Sequence, residues 1–264
     1  MSAATQARQA ELDRVLDNQD AVPALADELF AVAELLSGQV ALRKALSDAT
    51  AGDTARRELA AAVLGGKVSP ATQAVVEAAA ELRWASGADL AAALERQGVR
   101  AVLRNAQLGK RLDTVEEELF RFSRIVEADH ALRDVLEDRN ASRPGREELV
   151  GGLLAGKAED ATITLVKRAL GAASRTFART LDSYLALAAA ERSRAIAEVT
   201  VARPLTDDQA DRLRAALSRQ VGREVTLQVS VDPAVIGGVR VRLGDEVIEG
   251  TVAGRLEAAE RQLN

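Results

Sequence analysis

Residues 41–67, ALRKALSDATAGDTARRELAAAVLGGK, return ninety positions later as residues 131–157, ALRDVLEDRNASRPGREELVGGLLAGK. Ala41-Leu42-Arg43 becomes Ala131-Leu132-Arg133, Leu46 and Asp48 become Leu136 and Asp138, and Arg56, Glu58 and Leu59 become Arg146, Glu148 and Leu149. Leu64, Gly66 and Lys67 become Leu154, Gly156 and Lys157. The match extends outward to Leu29-Phe30 with Leu119-Phe120 and to Ala71-Thr72 with Ala161-Thr162, without a gap. Roughly a third of positions 29–79 are identical at this offset, against about a tenth for this Ala/Leu-rich composition. An ungapped match that carries loop residues with it points to duplication. Two copies are too few for a solenoid, so two related bundles or one enlarged bundle are expected.

The repeated unit reads as helix. Leu25, Leu29, Val32 and Leu36 fall at i, i+4, i+7 and i+11, with Asp27, Glu28 and Glu34 off that stripe. Ser69 followed by Pro70 is an N-cap with proline in the first turn, opening a helix expected to run through Trp84. Asn140 to Gly145, which contains Pro144, reads as a loop. Residues 1 to about 195 are therefore expected to be helical throughout.

The period then changes. Thr206 with Gln209 forms a capping box, and Asp207 and Asp208 occupy the electropositive first turn. Ala210, Leu213 and Leu217 mark the buried face of that helix, and Gly222 lies just past its end. Val225, Leu227, Val229 and Val231 then alternate with Glu224, Thr226, Gln228 and Ser230, the pattern of a half-buried strand. Val239, Val241 and Leu243 alternate with Arg240 and Arg242 as a second strand, and Gly244-Asp245 signals a hairpin into Glu246–Glu249. Ala195–Val201 is a further strand candidate. Thr251 opens a last helix with Val252, Leu256, Ala259 and Leu263 on one face. The fold class is mainly α: helical bundles with an internal repeat, then a small α+β domain.

Composition bounds the function. The 264 residues carry 35 Lys+Arg against 40 Asp+Glu, a net charge of −5, and 47% are apolar. A mildly acidic, mixed-sign chain argues against nucleic acid as the main partner. Cysteine is absent, so disulfides, thiol catalysis and Cys-ligated metals are excluded. A single histidine, His130, argues against a His-paired metal or a Ser–His machine. Aromatic residues are 2%, so the core must be Leu, Val and Ala. The basic residues are nearly all Arg, which we read as coding bias. Met1 to Gln19 lacks a signal-peptide apolar region, and the richest apolar stretch, Tyr184 to Ala190, is too short to span a bilayer. The cytoplasm is the default compartment.

Several stretches imitate chemistry. Gly151 to Lys157 matches GxxxxGK, but Ala158 stands where Mg²⁺ needs a hydroxyl, and a helix rather than a strand precedes it. A helix end near Gly156 is the alternative. His130 aligns with Val40, which suggests partial burial rather than proton transfer. Glu116, Glu117 and Glu118 point in different directions on a helix and suit a solvated face better than a metal. Trp84 is either core or an interface anchor. Arg240 and Arg242 lack an aromatic platform for RNA. No catalytic residue, cofactor or metal site is expected.

One set of motifs is more specific: Pro204-Leu205-Thr206, then Asp232-Pro233 followed by Ile236-Gly237-Gly238, then Gly244-Asp245, then Gly250-Thr251 and Arg255-Leu256. Over about 60 residues this order resembles the C-terminal domain of the F-type ATP synthase delta subunit family, counterpart of the mitochondrial oligomycin-sensitivity-conferring protein. Leu112 to Phe120 resembles the early helices of that family's N-terminal bundle. The chain departs from it at Glu249-Gly250-Thr251, where many members have Asp-Gly-Ser. It also carries about 90 extra residues, as in the long actinobacterial form.

The resemblance implies three regions: an added repeat copy at 1–86, a family-like bundle at 87–195, and a stalk-binding α+β domain at 196–264. It implies a non-catalytic stator subunit, peripheral on the cytoplasmic face of the plasma membrane. The helical part would grip N-terminal segments of the alpha subunits, and the C-terminal domain would engage the b-type stalk helices. Small-molecule substrates, nucleic acid and direct membrane insertion are not expected. Asp232-Pro233 and Gly237-Gly238 read as fold determinants, setting a turn and a close backbone approach. On the bundle, Val99, Val102 and Ala106 of its first helix and Leu165 and Leu170 of its fifth are the candidate groove for an amphipathic partner helix. Core is the competing role for each. The rival readings are a different helical adaptor with a similar small domain, and a nucleotide-binding protein resting on Gly151 to Lys157.

Overall fold

Several helices of this chain begin on a residue whose side chain satisfies an orphan N–H group of the first turn. Ser69 accepts from the Thr72 N–H at 3.3 Å, Ser86 from Asp89 at 3.2 Å, Asp129 from Leu132 at 3.0 Å, and Ser142 from Gly145 at 3.3 Å. The computed structural model describes residues 3–138, 140–171, 176–193, 195–222, 224–233, 238–243 and 246–249. They form α1 (Ala3–Asp17), α2 (Pro23–Gly38), α3 (Val40–Leu46), α4 (Asp53–Leu64), α5 (Pro70–Glu81) and α6 (Gly87–Leu108). Next come α7 (Leu112–Ala128), α8 (His130–Glu137), α9 (Arg143–Leu154), α10 (Asp160–Ala169) and α11 (Phe177–Arg192). The last part holds β1 (Ala195–Val201), α12 (Asp207–Val221), β2 (Val225–Val231), β3 (Val239–Leu243) and β4 (Glu246–Glu249). The mainly α fold with a small α+β end is as the patterns predict.

Two readings change. Pro144 is in the first turn of α9, capped by Ser142, and not in a loop. Proline fits there because its missing N–H has no partner in a first turn anyway. The helix from Pro70 stops at Glu81, where Leu82 turns extended, so Trp84 lies beyond it. Trp84 is buried and donates its indole N–H to the Ala79 carbonyl at 2.7 Å.

The chain divides into two compact units, residues 21–192 and residues 1–20 with 193–264. The expected boundary at 86/87 falls inside the first of these, and α1 groups with the C-terminal residues.

In the helical unit the repeat is visible as geometry. The pairs α3/α8, α4/α9, α5/α10 and α6/α11 start ninety residues apart, at 40/130, 53/143, 70/160 and 87/177. Thus α6 closes the first copy, in the place α11 takes in the second, and also opens the second. It packs against α2 on one side and α7, α10 and α11 on others. Residues 97–104 of α6 are all buried, as a helix serving two bundles requires. The stripe Leu25, Leu29, Val32 and Leu36 is buried as predicted. Arg56 is buried too. It ties the α3–α4 loop to the end of α5 by donating to the carbonyls of Ala51 (2.6 Å), Ala80 (2.7 Å) and Glu81 (2.8 Å). Its counterpart Arg146 donates to the Leu136 carbonyl at 2.8 Å.

In the other unit the sheet order is β2-β1-β3-β4. β1 and β2 are parallel and joined through α12, as a parallel pair needs a crossover. β3 runs antiparallel to β1 and to β4, with Val199 opposite both Val229 and Val241. Ala197, Val199, Val201, Leu217, Val225, Leu227 and Val241 form the core, with Leu205, Ala210 and Leu213 packed against it. The expected in/out alternation along β2 does not hold: Val225, Thr226 and Leu227 are all buried, whereas Val229 and Val231 are exposed. β2 is an edge strand, where neighbours cover only part of each face. The capping box at Thr206 and Gln209 is formed, and Gly222 ends α12 at φ 71°. After α1, the Asn18 amide donates to Asp211 of α12 at 3.5 Å and accepts from Arg214.

Candidate functional site

The residues expected to line a partner groove are brought together but not opened to solvent. Val99, Val102 and Ala106 on α6, Leu165 on α10 and Leu170 just past it are all buried, and α6 packs directly on α10. In the chain alone they serve as core.

Beside them lies a joint that the sequence did not reveal. Phe30 of α2 packs against Gly98 of α6, where an added Cβ would fall 2.6 Å from the ring. On α10, the Arg168 guanidinium covers Phe30 at 4.5 Å from the ring centroid. Arg168 also bonds both carboxylate oxygens of Glu95 on α6, at 3.1 and 2.6 Å, and reaches Glu34 of α2 at 3.4 Å. Burial opposes its charge, but the Glu95 and Glu34 carboxylates win and raise its pKa above the usual arginine value. Arg143 of α9 bonds Glu34 at 3.0 Å and Glu147 at 2.7 Å. One face of the first copy is thus seated on α6, α9 and α10 of the second.

A second feature occurs twice. In the first copy the Glu28 carboxylate accepts from the Ser69 N–H (3.0 Å), the Ser69 hydroxyl (2.6 Å) and the Thr72 hydroxyl (2.5 Å). In the second, Glu118 accepts from the Glu159 N–H (3.0 Å) and the Thr162 hydroxyl (2.5 Å). Each bond ties the second helix of a copy to the start of its fifth. Desolvation would raise the Glu28 pKa, but the Ser69 and Thr72 donors outweigh it and hold the pKa below its ordinary value.

The imitative motifs resolve physically. Gly151–Leu154 is the last turn of α9, and Gly156 follows it at φ 68°. This end presents carbonyls, the wrong pole for phosphate. Glu116, Glu117 and Glu118 diverge as expected: they face Arg192 at 3.4 Å, Arg121, and the Thr162 hydroxyl. Among the described residues no group of acidic or histidine side chains is placed to hold a metal. His130 is exposed, not partly buried, because the first residue of α8 projects outward, with Nδ1 beside Arg133. Val40, its counterpart, is exposed as well.

Of the motif residues in the α+β end, Thr206 caps α12, Leu205 leans on the sheet core, and Pro204 precedes them outside any helix or strand. The Asp232 N–H reaches the Val201 carbonyl at 2.9 Å, Pro233 follows in a turn, and Gly238 has φ 89° before β3. These are fold-setting roles. Ile236, Gly237, Gly244, Asp245, Arg255 and Leu256, and the helix expected from Thr251, lie outside the described residues.

Exposed large apolar side chains gather on the second copy. Phe120 and Ile125 on α7, Val135 on α8, and Leu149 and Leu153 on α9 are exposed; among the described residues the first copy exposes Val40, and Val22 just ahead of α2. Phe120 is the counterpart of Phe30, yet it is 57% exposed against 4%.

The family model described as "ATP synthase delta (OSCP) subunit" matches residues 94–263. The chain is 43% identical to the ATP synthase subunit delta of Kineococcus radiotolerans, over 90% of this chain and 86% of that one. It is 44% identical to the Streptomyces griseus protein of the same name (96% and 94%) and 42% identical to that of Nocardia farcinica (99% and 97%).

Proposed function

The chain belongs to the ATP synthase delta (OSCP) subunit family, and from that premise we propose how it holds its complex together. It is a structural, non-catalytic subunit of the peripheral stalk of the F-type ATP synthase. The helical unit binds N-terminal segments of the alpha subunits at the catalytic head, and the α+β unit binds the b-type stalk helices. The subunit sits on the cytoplasmic face of the membrane as a peripheral component. Among the described residues no helix is long and apolar enough to cross a bilayer.

The observation that carries this reading is the reach of the similarity, which runs through both the bundle and the sheet. Its chemistry is that of a mechanical tie. Resisting rotor torque requires contact area and stiffness, and the molecule supplies bundles cross-braced by carboxylate–hydroxyl and guanidinium–carboxylate contacts. A titration of the full chain with the purified soluble head, and separately with a soluble fragment of the stalk helices, tests it. Binding to both, and a ternary complex, is the expected result. Binding to neither at low and moderate salt would leave a helical adaptor that shares only the family's fold.

A further inference from the structure

We infer that the last turn of α11 is the anchor through which load carried by the chain enters the helical unit, with the buried Arg100–Glu191 pair as its lock. The inference rests on the stator reading above, in which the two units hold different partners. The chain passes from one compact unit to the other between Arg192 and Ser193, and β1 begins at Ala195. Any pull on the backbone there is applied to the end of α11. A helix end is where peeling starts, because its last four carbonyls have no partner within the helix and terminal turns open locally at little cost.

This end is secured on two sides. Glu191 and Arg100 of α6 are 3% and 2% exposed at their side chains, and the Glu191 Oε1 accepts from Arg100 Nε at 2.9 Å and Nη2 at 2.6 Å. The next residue, Arg192, faces Glu116 of α7 at 3.4 Å. That second contact is half in water and weak by itself, so Glu191 carries the anchor. A buried ion pair adds little stability over apolar side chains of the same volume, but displacing one partner leaves the other charge buried and uncompensated. It therefore resists displacement more steeply than apolar packing does.

The duplication supplies an internal comparison. At the ninety-residue offset, Glu191, Arg192 and Glu116 correspond to Ala101, Val102 and Ala26, which are all buried. In the first copy the helix does not end at this point: α6 runs on to Leu108 and the chain stays within its unit. Charge replaces apolar residues in the copy whose helix hands the chain onward. The chain also crosses between units at Asp20 and Ala21, but the helix after that crossing starts on Val22 without a side-chain cap and buries Leu25, Ala26 and Leu29. The lock thus assigns the load to the later crossing.

Full-length parent, Glu191→Ala, Glu191→Gln and Val150→Ala are compared; Val150, buried on α9, gives a core truncation away from the exit. In the free chain, Glu191→Ala should speed amide exchange at residues 189–192 about a hundredfold, whereas Val150→Ala leaves those amides as in the parent. Glu191→Gln keeps an acceptor for Arg100 without the charge and should fall between. Each chain is then returned to ATP synthase stripped of this subunit, in vesicles. Glu191→Ala should synthesise ATP at the parent's rate under a weak proton-motive force and fall behind as the force rises; Val150→Ala should track the parent. If the parent does not restore synthesis, the stator reading falls and this inference with it. If the parent restores synthesis and Glu191→Ala matches it at every force, or Val150→Ala fails under load equally, the anchor alone is overturned. Should Glu191→Ala not fold, Glu191→Gln is judged by the same two readouts.

Discussion

The two phenylalanines make a paired stability experiment with a built-in control. Phe30→Ala removes a ring enclosed by α2, α6 and α10. A buried Phe→Ala truncation costs about 4 kcal/mol, and loss of the Arg168 cation–π contact adds about 1 kcal/mol. Gly98 has no side chain with which to fill the space, so collapse of the cavity recovers little. Phe120→Ala removes a ring that is mostly in water. Its cost is within about 0.5 kcal/mol and is offset by the better helix propensity of alanine. The two variants should thus differ by about 4 kcal/mol, or about 10 °C in midpoint for a unit of this size. Urea unfolding followed by far-UV circular dichroism and by fluorescence measures it. The chain's single tryptophan, Trp84, is buried in the helical unit and reports on that unit. Equal losses for the two variants, or a Phe30→Ala cost below about 1 kcal/mol, would refute the reasoning from enclosure.

Other outcomes follow from the same contacts. Glu28 has a folded-state pKa below its ordinary 4.5, so its contribution is fully present above that pH and is lost as pH falls through the folded value. Glu28→Gln should therefore cost about 1 kcal/mol at neutral pH, and its acid unfolding curve should be flatter than the parent's below pH 4.5. Gly98→Ala should destabilise by about 2 kcal/mol through the clash with Phe30, and Phe30→Leu should partly rescue it in the double variant, read by thermal unfolding. Thr206→Ala removes the capping box of α12 and should cost about 1 kcal/mol, seen as faster amide exchange in the first turn of that helix.

Much of this architecture could be read directly from residue patterns. Leu25 to Leu36, the capping box at Thr206, and the alternation at 239–243 each rest on local periodicity or local hydrogen bonding, and each formed as read. Pro144 was misread because proline followed by glycine signals a turn by composition, while Ser142 ahead of it signals a helix start. Val229 and Val231 alternate correctly, but their exposure depends on what covers an edge strand, and no pattern within the strand encodes that. The joint at Phe30 was harder still. Leu-Phe occurs in both copies, so the pair signals the repeat and nothing else. What separates the two rings is Gly98 and Arg168, 68 and 138 residues further along the chain. The sharing of α6 did leave a trace, since Gly87 and Phe177 are ninety residues apart, but the run of matching residues between the copies ends before that helix.

The shared helix has a mechanical consequence. Two bundles joined by a linker can swivel, and a load applied to one is partly absorbed by the hinge. Here the copies have α6 in common, an unbroken rod of 22 residues, about 33 Å long. To tilt one bundle against the other, the rod itself must bend, against its own backbone ladder and the side chains packed all round residues 97–104. Duplication therefore lengthens the arm without making it softer. Any elastic give in a stalk containing this chain should lie outside residues 87–108.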